Sequence, residues 1–470
     1  MTDPITHGAD DSTGSDAAPL HPLQSILILL IFGTTASVLV PEDVQAVGAL
    51  RVSSFLLAVG LIAGPLWQSR HNPKLLLRAE HVLAYAPVFW LLLDPIQGAY
   101  PMPGFSADQI RITFVAIGVF SFGGWLGAFR PSAWLLKRLP MAVFDQFSAN
   151  TYFGFGIVCF CLAFLRFAVP AEFDLSLMFN SLLENRWAAP WARGQTGGWD
   201  AFLDHLSYFG YILPLLTVLQ ARRSGWFHPR TVVTAICAIL ITLFLAQGGS
   251  RRIIGVVAGS AIVFWFLSLK KVRFGSIITF IALLVLIAVS LNSILEFRTK
   301  GLNETELELA NVANDEDSLV FINVDDNFLR LSQITTIFPQ QVNYTTWRYP
   351  LWVAVRPVPR VLWPSKPMDP GFDLAEFLGL PQVSLSSSVV GELFICGGLP
   401  AVLLGGFFYG RIAAAFSPLV SSRFGTNALL LYSASLLMLF AGFRSMLELV
   451  LMSYMLLVWI VLCSLRPARK

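Results

Sequence analysis

Charged residues are scarce in this sequence. Asp, Glu, Lys and Arg together make up 13% of its 470 residues, whereas soluble globular proteins average about 25%. Hydrophobic residues reach 55%. The deficit of charge excludes an ordinary soluble domain and indicates a membrane protein. The net charge is only +3, and there is no basic tract of the kind that binds nucleic acid, so we expect no nucleic-acid partner.

Cysteine and histidine are also scarce. The five cysteines all fall in apolar runs, which excludes a disulfide framework and a Cys-x-x-Cys metal site. The six histidines are scattered, and none has a ligand-like partner three or four residues away. The sequence therefore predicts neither a bound metal nor another cofactor.

Apolar runs long enough to cross a bilayer recur along the chain. We place about twelve of them, near 23–40, 50–67, 79–95, 109–128, 150–169, 203–220, 231–247, 253–269, 274–292, 389–410, 427–443 and 447–464. This pattern predicts an all-α polytopic membrane protein. Nine spans lie in 23–292 and three in 389–464, and a large polar loop, 293–388, separates the two groups.

The two ends of the chain are short and polar. Residues 1–22 are acidic, small and proline-containing, which predicts a disordered N-terminus. They contain no Lys or Arg, which argues against a secretory signal peptide, so we expect the first apolar run to be retained. Residues 465–470 form a basic tail.

The basic residues predict the orientation. With twelve spans, the basic connectors all fall on the same side as both termini, and the positive-inside rule makes that side the cytoplasm. These connectors are 68–78, 130–138, 222–230, 270–273 and 411–423. The loop 293–388 is then external, and periplasmic in a Gram-negative cell.

One stretch of the external loop combines cations with aromatic rings. Four prolines between Pro350 and Pro364 disfavour a long helix there. Guanidinium groups bind phosphate and aromatic faces can stack on sugars, so the stretch suits a substrate that is anionic at one end and sugar-like elsewhere. Anchoring at the lipid headgroups is the alternative. The residues are Trp347, Arg348, Tyr349, Trp352, Arg356, Arg360, Trp363 and Lys366.

Several arginines lie on the side where the positive-inside rule does not expect them. Arg251 and Arg252 sit in an external hairpin, Arg444 in the external turn between the last two spans, and Arg166 and Arg298 near outer helix ends. Charges at this depth are paired or functional. Snorkelling or an ion pair, such as one between Arg444 and Glu448, is one explanation. A binding site for a lipid-linked diphosphate is the other, and Glu392 opens the span that follows the loop.

Three segments resemble the Wzy-type polysaccharide polymerases of bacterial envelopes: Gly248–Gly255 (GGSRRIIG), Val358–Pro367 (VPRVLWPSKP) and Val389–Pro400 (VVGELFICGGLP). The spacing from Arg360 to Gly371 also matches an Arg-x10-Gly loop motif of that family. The related O-antigen ligases carry a histidine in the large loop. This loop has none, which favours polymerase over ligase and leaves the base unassigned by the family pattern.

The resemblance implies a GT-C-like, metal-independent glycosyltransferase of the bacterial inner membrane. Its substrates would be undecaprenyl-diphosphate-linked oligosaccharides in the bilayer, and its pathway partners a flippase and a chain-length regulator. Arg251, Arg360 and Arg444 would bind the diphosphate, with Glu392 as the base. Further substrate-binding residues would be Arg252, Arg298, Arg348, Arg356, Lys366, Trp347, Tyr349, Trp352 and Trp363.

Other readings of the sequence stay open. The chain could be an O-antigen ligase or another lipid-linked glycan transferase, or a transporter or flippase for lipid-linked sugars. A metal-dependent GT-C enzyme is a further alternative, with Glu42 and Asp43 as its acidic pair in the first external loop. Asp325 and Asp326 could also bind a metal, although two adjacent aspartates alone are a weak signal.

Overall fold

In the part of the chain that the computed structural model describes, the regular secondary structure is helical and there is no strand. The structure describes residues 22–99, 101–130, 132–184, 187–192, 200–247, 251–300, 322, 324–356, 358, 363, 365–367, 369–380 and 385–465. The predicted disordered N-terminus, apart from Pro22, and most of the basic tail lie outside these residues.

Eight helical segments are long and apolar enough to cross a membrane. They are Arg51–Ser69, Ala107–Ala128, Ala149–Ala168, Phe202–Ser224, Pro229–Gln247, Ser388–Val420, Gly425–Gly442 and Met446–Ser464. Three shorter apolar helices, Pro22–Val38, Ile253–Leu267 and Phe274–Ser290, accompany them. The protein is therefore a polytopic helical membrane protein, as the composition predicted.

The α-helices are numbered in chain order. They are α1 (Pro22–Val38), α2 (Arg51–Ser69), α3 (Val82–Pro87), α4 (Leu93–Gln97), α5 (Ala107–Ala128), α6 (Trp134–Arg138), α7 (Ala149–Ala168), α8 (Leu175–Ser181), α9 (Asp200–Gly210), α10 (Leu213–Ser224), α11 (Pro229–Gln247), α12 (Arg251–Leu267), α13 (Phe274–Lys300), α14 (Asn327–Ile337), α15 (Arg348–Val355), α16 (Leu374–Phe377), α17 (Ser388–Phe416), α18 (Gly425–Gly442) and α19 (Met446–Ser464).

The predicted span 79–95 is an interrupted helix. A 3-10 turn, Ala79–His81, leads into α3, and a π-helical turn, Val88–Leu92, separates α3 from α4. Pro87 at the end of α3 has no N–H to donate to the carbonyl one turn before it. The Ser121 hydroxyl of α5 donates to that carbonyl, on Leu83, at 3.2 Å. A neighbouring helix thus completes the hydrogen bonding that the proline removes.

Helices α5 and α17 pack backbone to backbone through glycines. Gly123 and Gly127 of α5, and Gly406 and Gly410 of α17, repeat at the four-residue spacing that allows helices in a bilayer to approach closely. A Cβ on Gly127 would overlap the Phe407 carbonyl oxygen, and a Cβ on Gly410 would overlap that of Gly124. This contact fixes α17, the helix that carries Glu392.

Helix α17 is broken at Gly397 and Gly398. Gly398 has a φ of 63°, a value that disfavours any side chain, and Pro400 cannot donate to the Cys396 carbonyl. The break leaves two carbonyls open, and two residues of the large loop donate to them. The backbone N–H of Thr345 donates to Ile395 O and that of Thr346 to Cys396 O, both at 3.0 Å. The loop is therefore inserted beside the broken helix.

Part of the large loop is buried, which the sequence did not predict. Helix α14 packs against α5 and α17. Its Ser332 and Thr335 hydroxyls lie 3.2 and 3.1 Å from the Thr113 hydroxyl of α5, and the rings of Phe328 and Phe114 are 5.4 Å apart. The region 293–388 is consequently not a single solvated loop but one that folds back onto the helix bundle.

Candidate functional site

The turn between α18 and α19, residues 442–446, is held by backbone-directed hydrogen bonds from several elements. We call it the Arg444 turn. Helix α18 ends with the Arg444 N–H donating to Ala441 O at 3.2 Å, three residues back, which leaves the Phe440 carbonyl open. The Trp90 indole donates to that carbonyl at 2.7 Å. The turn is thus tied to the interrupted helix 79–97.

The start of α17 secures the other side of the Arg444 turn. The Val389 N–H donates to Phe443 O at 2.9 Å, and the Ser386 hydroxyl donates to Arg444 O at 2.9 Å. Two carbonyls of the turn, those of Phe443 and Arg444, are thus engaged from outside it, which limits its freedom to rearrange. The position of the Arg444 backbone is therefore fixed by the fold.

Glu392 lies beneath this turn on the first turns of α17. It is 3% exposed, and a buried carboxylate requires donors. The Ser445 hydroxyl donates to Oε1 at 2.6 Å, and the Met446 N–H donates to Oε2 at 2.5 Å. The side chain thus binds the start of α19 and links α17 to the Arg444 turn.

Tyr349 supplies a third contact to Glu392 from the external loop. The Tyr349 hydroxyl lies within hydrogen-bonding reach of the carboxylate. Burial, followed by the charge of Glu392, raises the pKa of Tyr349 well above its ordinary value of 10.0, so the hydroxyl keeps its proton and donates. The sequence suggested that this ring stacks on sugar, but it is 8% exposed and faces the protein interior instead.

The Arg444 side chain is oriented by Asp325. Its Nε donates to Asp325 Oδ2 at 2.7 Å, and the Arg444 side chain is 15% exposed. Among the described residues, the guanidinium makes no other hydrogen bond, so its two terminal nitrogens are not engaged by them. The ion pair proposed from sequence joined Arg444 to Glu448, but the partner is Asp325, 119 residues away.

Asp325 follows a segment of the loop that is tied to the helix bundle. Asp325 and Asp326 have φ values of 64° and 52°, a left-handed conformation that is uncommon outside glycine. The segment just before them is tied to α4: the Val324 N–H donates to Asp94 Oδ1 at 3.2 Å, and Ile322 and Gln97 exchange two hydrogen bonds of 3.0 Å. These contacts set the direction of the Asp325 carboxylate.

Helix α15 carries a second group of predicted residues and packs against α17 and α19. Pro350 lies in its first turn, where no N–H is required. The Arg356 guanidinium stands 5.4 Å above the Trp352 ring, and the Arg348 guanidinium pairs with Asp369 at 2.6 Å. Arg348, Trp347 and Trp363 are exposed on the outer side. We call the exposed face around α15 the outer patch.

Lys366 has a structural position in the outer patch. It is buried, and its ammonium donates to the carbonyls of Val358 and Arg356 at 2.7 and 3.2 Å. Four predicted residues cannot be placed in either group. Arg360 lies outside the described residues, and the side chains of Arg251, Arg252 and Arg298 are not among those described. The structure thus brings together Arg444, Glu392 and Tyr349, with Asp325 and Ser445 as their partners, and we call these five residues the inner group. The outer patch holds the other placed residues: Trp347, Arg348, Trp352, Arg356, Trp363 and Lys366.

Two residues of the inner group were not anticipated: Ser445 as a partner of Glu392, and Asp325 as a partner of Arg444. The signal available in the sequence was the adjacency of Asp325 and Asp326 in the loop, but it was read as a weak metal pair. In the part of the chain that the structure describes, no three His, Cys, Asp or Glu residues form a metal-binding group. Glu42 instead pairs with Arg111 at 2.8 Å, and Asp43 accepts from the Gln45 N–H at 3.0 Å.

Comparisons of the chain with protein-family models, with curated proteins and with solved structures gave no match.

Proposed function

We propose that this protein polymerises lipid-diphosphate-linked oligosaccharide repeat units on the outer face of a bacterial inner membrane, as an integral-membrane glycosyltransferase. The observation that carries the proposal is the inner group. An arginine at the outer end of the bundle is fixed at its backbone and at Nε, while its terminal nitrogens are left to a ligand. This is how a guanidinium is presented to phosphate oxygens.

The chemistry requires stabilisation of a departing diphosphate. The bond between the donor's anomeric carbon and the diphosphate oxygen breaks, a bond to an acceptor hydroxyl oxygen forms, and the proton of that hydroxyl passes finally to an oxygen of the released diphosphate. Negative charge grows on the leaving lipid diphosphate. A guanidinium that is already oriented stabilises this charge without reorganising during the reaction. We assign this role to Arg444, and propose that Arg251 and Arg360 join it.

The outer patch suits the glycan portion of the substrate. Trp352, Trp347 and Trp363 offer aromatic surface, and Arg348 and Arg356 supply donors beside it. Helix α15 joins the outer patch to the inner group because Tyr349 on the same helix contacts Glu392. A lipid-linked sugar with its diphosphate at Arg444 could therefore extend along α15.

The proposal uses a twelve-span, GT-C-like topology with both termini in the cytoplasm. Eight long apolar segments, three shorter apolar helices and the interrupted stretch 79–97 support that number. Several basic connectors contact one another: Lys74 and Arg222 donate to carbonyls of 267–269, and Arg411 donates to Arg130 O. The connector 411–423 and the Arg444 turn lie at opposite ends of α18, which supports an external site.

Transport of a lipid-linked sugar is the second candidate, because a helix broken within the membrane region is a feature of transporters. In this protein two carbonyls at the break in α17 are already occupied. Ile395 O and Cys396 O accept from Thr345 and Thr346, so an ion would have to displace the loop. This hydrogen bonding favours the glycosyltransferase.

The test is the fate of the glycan in a cell that lacks the gene. We expect single exported repeat units and no long polymer, and restoration of the polymer by the wild-type gene but not by Arg444→Ala. Repeat units trapped on the cytoplasmic side would indicate a transporter instead, and an unchanged polymer ladder would remove the proposed function.

A further inference from the structure

Two carboxylates converge on Arg444 from opposite sides, one through its side chain and one through its backbone. Asp325 accepts from Nε at 2.7 Å. Glu392 accepts from Ser445 and Met446, the two residues that follow Arg444. Neither contact uses the terminal guanidinium nitrogens. Together they define where those nitrogens point.

Glu392 is poorly placed for the role of base that the sequence suggested. Both of its oxygens already accept hydrogen bonds, one of them from a backbone N–H that cannot rotate away. The Tyr349 hydroxyl adds a third donor, and the residue is buried. A general base needs a lone pair within reach of the substrate hydroxyl. This carboxylate directs its lone pairs at the protein.

We propose that Glu392 and Asp325 are positioning residues: they hold the Arg444 guanidinium so that its terminal nitrogens bind the diphosphate of the lipid carrier, an inference that rests on the proposed function. Glu392 sets the Arg444 turn and Asp325 sets the rotation of the side chain. Glu392 takes no proton from the acceptor.

The conservative substitution Glu392→Gln separates positioning from base catalysis. A carboxamide oxygen can still accept from the Met446 N–H, and the carboxamide NH₂ can donate to the Ser445 hydroxyl oxygen. Positioning is therefore largely retained, while proton affinity is lost. We expect Glu392→Gln to keep at least about a third of wild-type turnover, and Glu392→Ala to lose most of it.

The decisive measurement is a double-mutant cycle on binding. Full-length protein in lipid nanodiscs would be titrated with undecaprenyl diphosphate. We expect Arg444→Ala, Glu392→Ala and Asp325→Ala each to weaken binding by about tenfold or more. Glu392→Ala combined with Arg444→Ala should be no weaker than Arg444→Ala alone, because a positioning residue has no effect once its target is gone.

A milder variant guards against loss of folding. Ser445→Ala removes one hydrogen bond to Glu392 and the hydroxyl that accepts from the Leu447 N–H at the start of α19. We expect about a threefold loss of affinity from it, again only when Arg444 is present. Ser453→Ala is the control within α19, since among the described residues that hydroxyl donates to the carbonyl of Val450 at 2.6 Å. It should bind like the wild type.

Three results would overturn the inference. Abolished turnover with normal binding in Glu392→Gln would make Glu392 the base. Equal losses from Glu392→Ala and Ser445→Ala with and without Arg444 would make their effect general to the fold. Normal binding by Arg444→Ala would show that Arg444 does not bind the diphosphate, so that Glu392 and Asp325 would have no ligand-binding group to position. Only this third result would also contradict the proposed function.

Discussion

Two arginines at outer helix ends, Arg166 and Arg444, are used differently by the fold. Arg166 is 8% exposed; its Nε donates to Asp204 at 2.8 Å and a terminal nitrogen donates to the Trp191 carbonyl at 2.9 Å. Arg444 gives only Nε to its carboxylate partner. Arg166 is therefore buried with Nε and one terminal nitrogen engaged, whereas Arg444 engages neither terminal nitrogen with a described residue. Position alone, which is all that the sequence shows, does not separate the two cases.

The difference teaches that an external arginine is a candidate ligand only when its terminal nitrogens are spared. Arg166 lies on α7 and contacts Asp204 of α9 and Trp191 of the segment 187–192, so removing its side chain breaks an ion pair with a partly buried carboxylate. For Arg444, the contacts shown are with its backbone carbonyl and its Nε, and not with its terminal nitrogens. The four predictions below ask whether this distinction holds.

The largest effect should come from a substitution that disrupts helix packing. It also provides a reference for how a misfolded variant behaves. Gly127→Leu places a side chain where the Phe407 carbonyl lies, and we expect no folded, monodisperse protein after detergent extraction. Gly118→Leu on the same helix is the control, since no atom lies within 4 Å of its Cβ position. Comparable yields of the two variants would contradict the close packing of α5 and α17.

Arg444→Ala should remove function while leaving the fold intact. Losing one preorganised donor to a developing anion costs about 100-fold in turnover, and we expect a polymer ladder reduced to single repeat units. The protein level and thermal melting should remain close to those of the wild type, because the terminal nitrogens support no other described residue. If Arg444→Ala protein failed to accumulate, Arg444 would have a structural role like that of Arg166.

Arg166→Ala should show the opposite pattern. We expect a loss of about 2 kcal/mol of stability, between the values typical of surface and buried ion pairs because Asp204 is partly exposed. The measurement is the melting temperature in detergent. Arg166→Ala with Asp204→Asn should recover part of the loss. Loss of polymer in cells that contain folded Arg166→Ala protein would contradict the purely structural role of Arg166.

The smallest effect should come from Tyr349→Phe, which deletes the loop's hydrogen bond to Glu392. A single hydrogen bond of this kind is worth about 1 kcal/mol. The pKa of Tyr349 is raised, so the hydroxyl is protonated at all pH values below about 10. The measurement is the melting temperature in detergent at neutral pH, where the variant should melt slightly below the wild type. An unchanged melting temperature would mean that the Tyr349 hydroxyl does not help to hold Glu392.

Much of the helical layout could be predicted from apolar runs. The predicted spans 109–128 and 150–169 correspond to Ala107–Ala128 and Ala149–Ala168, because these runs have the length and composition of a membrane helix. The interruption of 79–95 could not be read from hydropathy. It depends on Pro87 and on the Ser121 hydroxyl that completes the hydrogen bonding.

Individual residues of the candidate site could be predicted from the sequence, but the contacts between them could not. Glu392 and Arg444 were recognised because charges are rare at the ends of apolar runs. That Asp325 would meet Arg444 depends on α14 folding onto α5 and α17, a long-range packing that local spacing does not encode. Helix α14 itself reads as polar because its serines and threonines face Thr113, and so its burial was missed.

The most direct test of the account is to titrate undecaprenyl diphosphate into nanodiscs that hold wild-type, Arg444→Ala or Arg166→Ala protein, each shown to be folded. We predict that Arg444→Ala binds at least about tenfold more weakly than the wild type and that Arg166→Ala binds equally well. Equal affinity of the wild type and Arg444→Ala would contradict the central claim that Arg444 holds the diphosphate.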